Sequence, residues 1–156
     1  MNIEKVSWEY YFQLINKLEQ MISVHAQEKF DLVVGISRGG LIPALLLSEA
    51  WDVPLDIIVS SSYTRENQQT ELKLGKPSYL CFSDITKDSN ILIVDDLCDT
   101  GKTMQVVVDL YKEKGFNNIR TSVLYYKRNS LFDPDYFVAG TDEDSWIEFP
   151  YENNKK

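Results

Sequence analysis

The sequence predicts one α/β domain built on a parallel sheet, and three observations carry that prediction. Short apolar runs rich in β-branched side chains, DLVVGI at 31–36, LDIIVS at 55–60 and ILIVD at 91–95, are too short for helices and read as strands buried in a sheet. Between them lie stretches of helical period at 7–25, 41–51 and 102–114. Two of the strands run directly into a glycine-bearing loop that opens the next helix, SRGG at 37–40 and DTGKT at 99–103. Strand and helix alternating in this way give right-handed crossovers, and ligands in such sheets bind beyond the C-terminal strand ends, where both loops fall.

Taken in order, Ser7 is a suitable N-cap with Glu9 in the first turn, and Tyr11, Leu14, Ile15, Leu18 and Ile22 share one helical face. The helix should end near His25, a position where a histidine's partial charge is favourable, which suits a surface role better than catalysis. The first strand, Asp31 to Ile36, is followed by the helix Leu41 to Trp51, with Pro43 in the first turn where its missing N–H costs nothing. Pro54 leads into the strand Leu55 to Ser60. Ser61 to Lys76, SSYTRENQQTELKLGK, is polar with scarcely any apolar periodicity and reads as a long loop, either functional or disordered, with Ser78 to Phe82 as a possible strand in its extension. The sheet resumes at Ile91 to Asp95, then come the helix Lys102 to Lys114 with Gly115 at its C-cap and the strand Arg120 to Tyr126.

Composition narrows the functional classes. The 156 residues suffice for one substantial core, and the 44% hydrophobic and 26% charged fractions are those of an ordinary globular protein. The longest apolar stretch, near Leu41 to Leu47, is interrupted by Pro43 and far too short to span a membrane, and MNIEKVSWEY has no apolar export segment, so a cytoplasmic location is expected. A net charge of −8 argues against nucleic acid or an anionic membrane as a general partner. Cys81 and Cys98 are too few for a metal cluster and read as reduced structural thiols.

The chemistry concentrates in VDDLCDTGKT, 94–103. Backbone N–H groups at a helix N-terminus converge on an anion, Gly101 lets the backbone approach closely, Thr100 and Thr103 add hydroxyls, and Lys102 adds a cation. Asp95 and Asp96 would repel a phosphate, but acceptor-only groups suit ribose hydroxyls, or a magnesium ion held directly or through water. Together these groups suggest a ribose-5-phosphate ligand. A nucleotide-binding P-loop would need a glycine five residues before Gly101, and that residue is Asp96. In the other loop, Gly39 and Gly40 expose N–H groups and Arg38 supplies a bidentate cation, so the two loops can grip the ends of one phosphorylated sugar.

VDDLCDTGKT resembles the phosphoribosyl-pyrophosphate signature of the type I phosphoribosyltransferases. SRGGLIPALL, Ser62-Tyr63 with Asn67-Gln68, the strand-end Lys127 and DSWIEFP at 144–150 follow the order seen in bacterial xanthine-guanine phosphoribosyltransferases. The resemblance implies a Rossmann-like parallel sheet flanked by helices with a small C-terminal hood over the base site, in one domain over 1–156. It implies a mobile catalytic loop and extension at 61–89 and a hood segment at 128–156. It assigns Asp95 and Asp96 to the ribose hydroxyls and to Mg²⁺, and Asp99, Thr100, Gly101, Lys102 and Thr103 to the 5-phosphate. Ser37, Arg38, Gly39 and Gly40 take the pyrophosphate, in a loop where a non-proline cis peptide is common in the family. Lys127 donates to a purine 6-oxygen, Trp146 stacks on the purine, and the Ile147 backbone meets its 2-position. Asp99, Tyr63 and Lys73 are the implied catalytic residues, Asp99 assisting removal of a proton from the base. The implied reaction transfers the 5-phosphoribosyl group from phosphoribosyl pyrophosphate to guanine, xanthine or hypoxanthine, with Mg²⁺ as cofactor, in a homodimer or homotetramer.

Three departures from the family pattern stand out: Gln69-Thr70 in place of a single basic residue, Arg128 in place of a proline, and a longer stretch from Gly75 to Ser89. Two rival readings follow from the same residues. One is an inactive sensor of phosphoribosyl pyrophosphate, against which Asp99, Lys127 and Trp146 argue. The other is transfer to adenine or a pyrimidine, against which a cationic donor at Lys127 argues, since it suits a 6-oxo group and not a 6-amino group.

Overall fold

The computed structural model describes residues 1–61, 72–79 and 82–152. The chain opens with strand β1 (Asn2–Lys5), which the sequence did not predict, and then helix α1 (Trp8–His25). Ser7 caps α1 as expected, its side chain accepting from the Tyr10 N–H at 3.1 Å, and the buried face is the predicted one: Tyr11, Leu14, Ile15, Leu18 and Ile22. Next come β2 (Leu32–Ser37), α2 (Leu41–Trp51) and β3 (Leu55–Ser61), each within one residue of expectation. A two-residue strand β4 (Lys73–Leu74) lies inside the stretch read as a loop. The remainder is β5 (Asn90–Cys98), α3 (Lys102–Glu113), β6 (Asn118–Lys127), β7 (Tyr136–Thr141) and β8 (Ser145–Glu148).

Six strands form one sheet in the order β4-β3-β2-β5-β6-β7, parallel except for β4, which pairs antiparallel with β3. This is an α/β fold. One face carries Val33, Leu92, Val94 and Leu124 against α1 and α2, and the other carries Leu32, Val34, Ile91, Ile93 and Val123 against α3. Burial on both faces explains why β2 and β5 read as continuous apolar runs. Gly35 lets α2 lie close on β2, because a Cβ there would sit 2.8 Å from the Ala44 Cβ. β2 is followed outward by β3 on one side and by β5 on the other, so the topological switch lies between β2 and β5, whose C-terminal ends carry the two glycine loops. Among the described residues no helix is long and apolar enough to cross a membrane.

The structure corrects some expectations. β5 does not end before the loop; it runs on to Cys98, because β6 continues beside it with Asp95 opposite Val123 and Cys98 opposite Tyr126. Pairing with β2 stops earlier, at Val94 opposite Gly35, so the two acids lie on the part of β5 that pairs only with β6. The segment Ser78 to Phe82 contributes no strand at its described residues Ser78, Tyr79 and Phe82. Its aromatic side chains instead pack on the α3-side core, where Tyr79 meets Phe116 edge-on at 4.9 Å. Buried Asp56 ties this segment down by accepting from the Ser78 N–H at 2.9 Å and from the Tyr111 hydroxyl at 2.6 Å. Beyond β6, β7 completes the main sheet, and β8 pairs in parallel with β1 in a separate two-stranded sheet. α3 ends at a Lys114 C-cap, with Gly115 following at φ +99°.

Candidate active site

The loop after β2 is built for close approach. The Ser37–Arg38 peptide is cis, Arg38 is exposed, and Gly40 is the N-cap of α2 without a side-chain cap. Gly40 packs so tightly that a Cβ would overlap the Val94 carbonyl and lie 2.8 Å from the Ile36 backbone. The loop after β5 follows the same plan: Gly101, at φ +88°, is the N-cap of α3, again without a side-chain cap. Both helices thus present N-terminal turns to the same end of the sheet with no N-cap side chain in the way, an arrangement suited to oxyanions. Gly101 is also a packing requirement, since a Cβ would meet the Phe132 Cβ at 2.5 Å and the Ser130 Oγ at 2.7 Å. Thr100 is held by the Leu131 N–H, which donates to its carbonyl at 3.0 Å, and its Oγ1 accepts from the Lys102 N–H at 3.3 Å. Lys102 is exposed, and Thr103 is half-buried in the first turn.

Asp95 and Asp96 stand between the two loops. Burial, and then repulsion from Asp96, holds the Asp95 carboxyl well above the ordinary carboxylate range. Asp96 is raised by burial too, against the opposing effect of a hydrogen bond from the Tyr151 hydroxyl. The ion pairs among the described residues join Lys5 to Glu148, Lys127 to Asp99 and Arg128 to Asp142, so none neutralises these two acids. Adjacent carboxylates in that condition fit a divalent cation that completes its shell with water and ligand oxygens.

Lys127 ends β6 and is almost buried, at 7% exposure, where a solvated lysine would be the default after a strand. Its ammonium pairs with Asp99 at 3.1 Å and donates to the Glu143 carbonyl at 3.3 Å. Lys127 therefore joins the loop after β5 to the loop before β8. On β8, Trp146 is 54% exposed while the Ile147 side chain is buried in the core, with Ile147 opposite Glu4 of β1. β1 thereby anchors the strand that offers the tryptophan, a tether that has no signal in the sequence.

Lys73 sits on β4 opposite Ser61, at the root of the 62–71 segment, and no described contact joins it to Asp99 or Lys127. Tyr63, Gln69-Thr70 and Cys81 lie outside the described residues. Cys98 is a buried free thiol at the end of β5, its sulfur 3.3 Å from the Ser130 Oγ, and burial pushes its pKa up, which fits a structural thiol. Sequence reasoning missed Tyr151 on Asp96; an aromatic residue after Pro150 was the only signal. A cavity of about 430 Å³ lined by His25, Arg120 and Tyr136 lies at the opposite, N-terminal strand ends and contains none of the predicted site residues.

Fold and site together define a phosphoribosyltransferase: residues 7–153 match the phosphoribosyl transferase domain, and the chain belongs to that family. Its relatives are more particular. The chain is 36% identical over 121 residues to a xanthine-guanine phosphoribosyltransferase of Cereibacter sphaeroides, covering 77% of this chain and 68% of that one. It is 30% identical over 151 residues to the enzyme of the same name from Idiomarina loihiensis, covering 94% and 85%. Among solved structures, a purine phosphoribosyltransferase from Pyrococcus horikoshii superposes with a TM-score of 0.83 at 32% identity, over 100% of this chain and 98% of that one.

Proposed function

We propose that this phosphoribosyltransferase transfers the 5-phosphoribosyl group from phosphoribosyl pyrophosphate to a 6-oxopurine: guanine, xanthine or hypoxanthine. The observation that carries the reading is the Lys127–Asp99 pair at 3.1 Å, a buried cation and a half-exposed acid beside the strand that offers Trp146. The names of the relatives support it. In the reaction the anomeric C–O bond to pyrophosphate breaks as a C–N bond to a purine ring nitrogen forms. Positive charge develops on the sugar and negative charge on the leaving group.

The uncapped turn at Ser37 to Gly40, with Arg38, receives the departing pyrophosphate, and Asp99 to Thr103 hold the 5-phosphate. Asp95 and Asp96 take the ribose hydroxyls. They would also hold Mg²⁺, which when bound neutralises charge on the leaving group. Trp146 stacks on the purine, the Ile147 backbone faces its 2-position, and Lys127 turns from Asp99 to donate to the 6-oxygen, leaving Asp99 free to accept the base proton. Lys73 on β4 is assigned to catalysis, as is Tyr63, which lies outside the described residues.

Absorbance assays with Mg²⁺, phosphoribosyl pyrophosphate and each of guanine, xanthine, hypoxanthine, adenine and uracil test this. Turnover of oxopurines alone is expected. Turnover of adenine or uracil overturns the base-site reading, and binding of phosphoribosyl pyrophosphate without turnover of any base overturns the enzymatic one.

We also infer a cytoplasmic enzyme that self-associates as a homodimer or homotetramer. Ile57 and Val59 lie on the α2 side of β3, in register with Gly35 and Ser37, and are 40% and 54% exposed. On α2, Leu45 and Leu46 are 47% and 36% exposed, so helix and strand together present an uncovered apolar step. Light scattering should find an oligomer in the wild type and a monomer in a Leu45→Lys, Val59→Lys double variant. A monomeric wild type at micromolar concentration refutes the assembly.

A further inference from the structure

The C-terminal turn reaches the sugar site. Beyond β8 the chain turns at Pro150, with the Glu152 N–H donating to the Phe149 carbonyl and the Glu152 carboxylate accepting from the Phe149 N–H, both at 3.1 Å. This closed turn delivers Tyr151, whose hydroxyl donates to Asp96 Oδ2. The Tyr151 ring is fixed by its neighbours: it stacks on Phe149 with centroids 5.5 Å apart and 5° between planes, and it meets Tyr11 edge-on at 5.6 Å. Asp96 also lies against Gly39, so closely that a Cβ on Gly39 would overlap the carboxylate. The carboxylate is therefore gripped between the pyrophosphate loop and the C-terminal turn.

We propose that Tyr151 is a positioning residue for Asp96, its hydroxyl fixing the carboxylate beside Gly39 so that the remaining oxygen lone pairs are aimed at the incoming sugar and its cation. This rests on the sugar-site reading of Asp96 given above. A carboxylate has about four acceptor positions, so one bond to Tyr151 orients the group without filling it. The turn also follows directly on the strand that bears Trp146 and Ile147, which makes the base cover and the sugar carboxylate parts of one connected unit. A fixed carboxylate needs no reorientation when the ligand binds, so the hydroxyl contributes to affinity for phosphoribosyl pyrophosphate and not to proton transfer at the base.

Tyr151→Phe keeps the ring packing and removes only the hydroxyl. Tyr11→Phe is the matched control, because the Tyr11 hydroxyl is buried in the same aromatic cluster with no hydrogen-bond partner among the described residues. Calorimetric titration of the full chain with phosphoribosyl pyrophosphate and Mg²⁺ should show Kd weakened about tenfold in Tyr151→Phe, the effect of one hydrogen bond to a charged group. The KM for the base, kcat at saturating phosphoribosyl pyrophosphate and the thermal midpoint should stay at wild-type values, and Tyr11→Phe should bind like wild type. Wild-type affinity in Tyr151→Phe overturns the positioning role, as does equal weakening in both variants, which would indicate packing alone. If the wild type binds phosphoribosyl pyrophosphate but turns over no base, the oxopurine reading fails while the comparison of Kd values still decides the role of Tyr151. If the wild type binds none, the sugar site and the proposal fall together.

Discussion

Replacing Asp99 by asparagine is expected to lower kcat by about 10²–10⁴-fold while leaving affinity for phosphoribosyl pyrophosphate nearly intact, the span associated with loss of a positioned general base. The geometry makes the substitution selective. The asparagine amide would keep a carbonyl oxygen facing the Lys127 ammonium, now 3.1 Å from Asp99, so the lysine keeps an acceptor as well as its bond to the Glu143 carbonyl. The backbone of the loop is held independently, by the Leu131 N–H on the Thr100 carbonyl and by the packing of Gly101 under Phe132. What disappears is the ability to accept a proton. Steady-state kinetics with saturating oxopurine, set beside direct titration with phosphoribosyl pyrophosphate, separates the two effects. An Asp99→Asn enzyme with wild-type kcat removes Asp99 from proton transfer. Equal losses in kcat and in sugar-phosphate affinity would make it a structural member of the loop.

Much of the architecture was legible because its signals are local. Strands buried on both faces leave uninterrupted apolar runs, and α1 shows its buried stripe in the spacing of Tyr11, Leu14, Ile15, Leu18 and Ile22. Both glycine loops could be placed because each joins a strand to a helix within a few residues. Signals that depend on a distant neighbour were missed. The end of β5 is set by how far β6 runs beside it, not by the arrival of charged residues, so a strand expected to stop at Asp95 carries both acids and continues to Cys98. β7 is half-exposed at the sheet edge, where apolar alternation is weak, and β1 is exposed along its whole length. Lys127 reads in the sequence as a strand-end lysine, but its near-complete burial and its pairing with Asp99 become visible only once β6 and the loop after β5 are side by side. Tyr151 and Asp96 are 55 residues apart, and no periodicity connects them.

The two glycines at 39 and 40 are adjacent in sequence and should fail in different ways, which separates what the fold needs from what the site needs. The three heavy atoms nearest to a Cβ on Gly40 are all backbone: the Val94 carbonyl, and the Ile36 N and O at 2.8 Å. Backbone atoms in paired strands cannot swing aside, so Gly40→Ala must push α2 away from the junction of β2 and β5, at a cost of about 3 kcal/mol or more for overpacking of this kind. The three heavy atoms nearest to a Cβ on Gly39 all belong to the Asp96 carboxylate. That group can rotate, but only by leaving the Tyr151 hydroxyl, so Gly39→Ala should keep the fold and displace the acid. Affinity for phosphoribosyl pyrophosphate should then fall by about tenfold to a hundredfold, the range for hydrogen bonds to a charged group. Denaturant midpoints and calorimetric Kd values measured on both variants test the distinction. A folded Gly40→Ala with an unchanged midpoint would show that the strand junction yields more easily than its spacing implies. A Gly39→Ala that binds phosphoribosyl pyrophosphate like wild type would show that the position of Asp96 between Gly39 and Tyr151 is not the one the ligand requires.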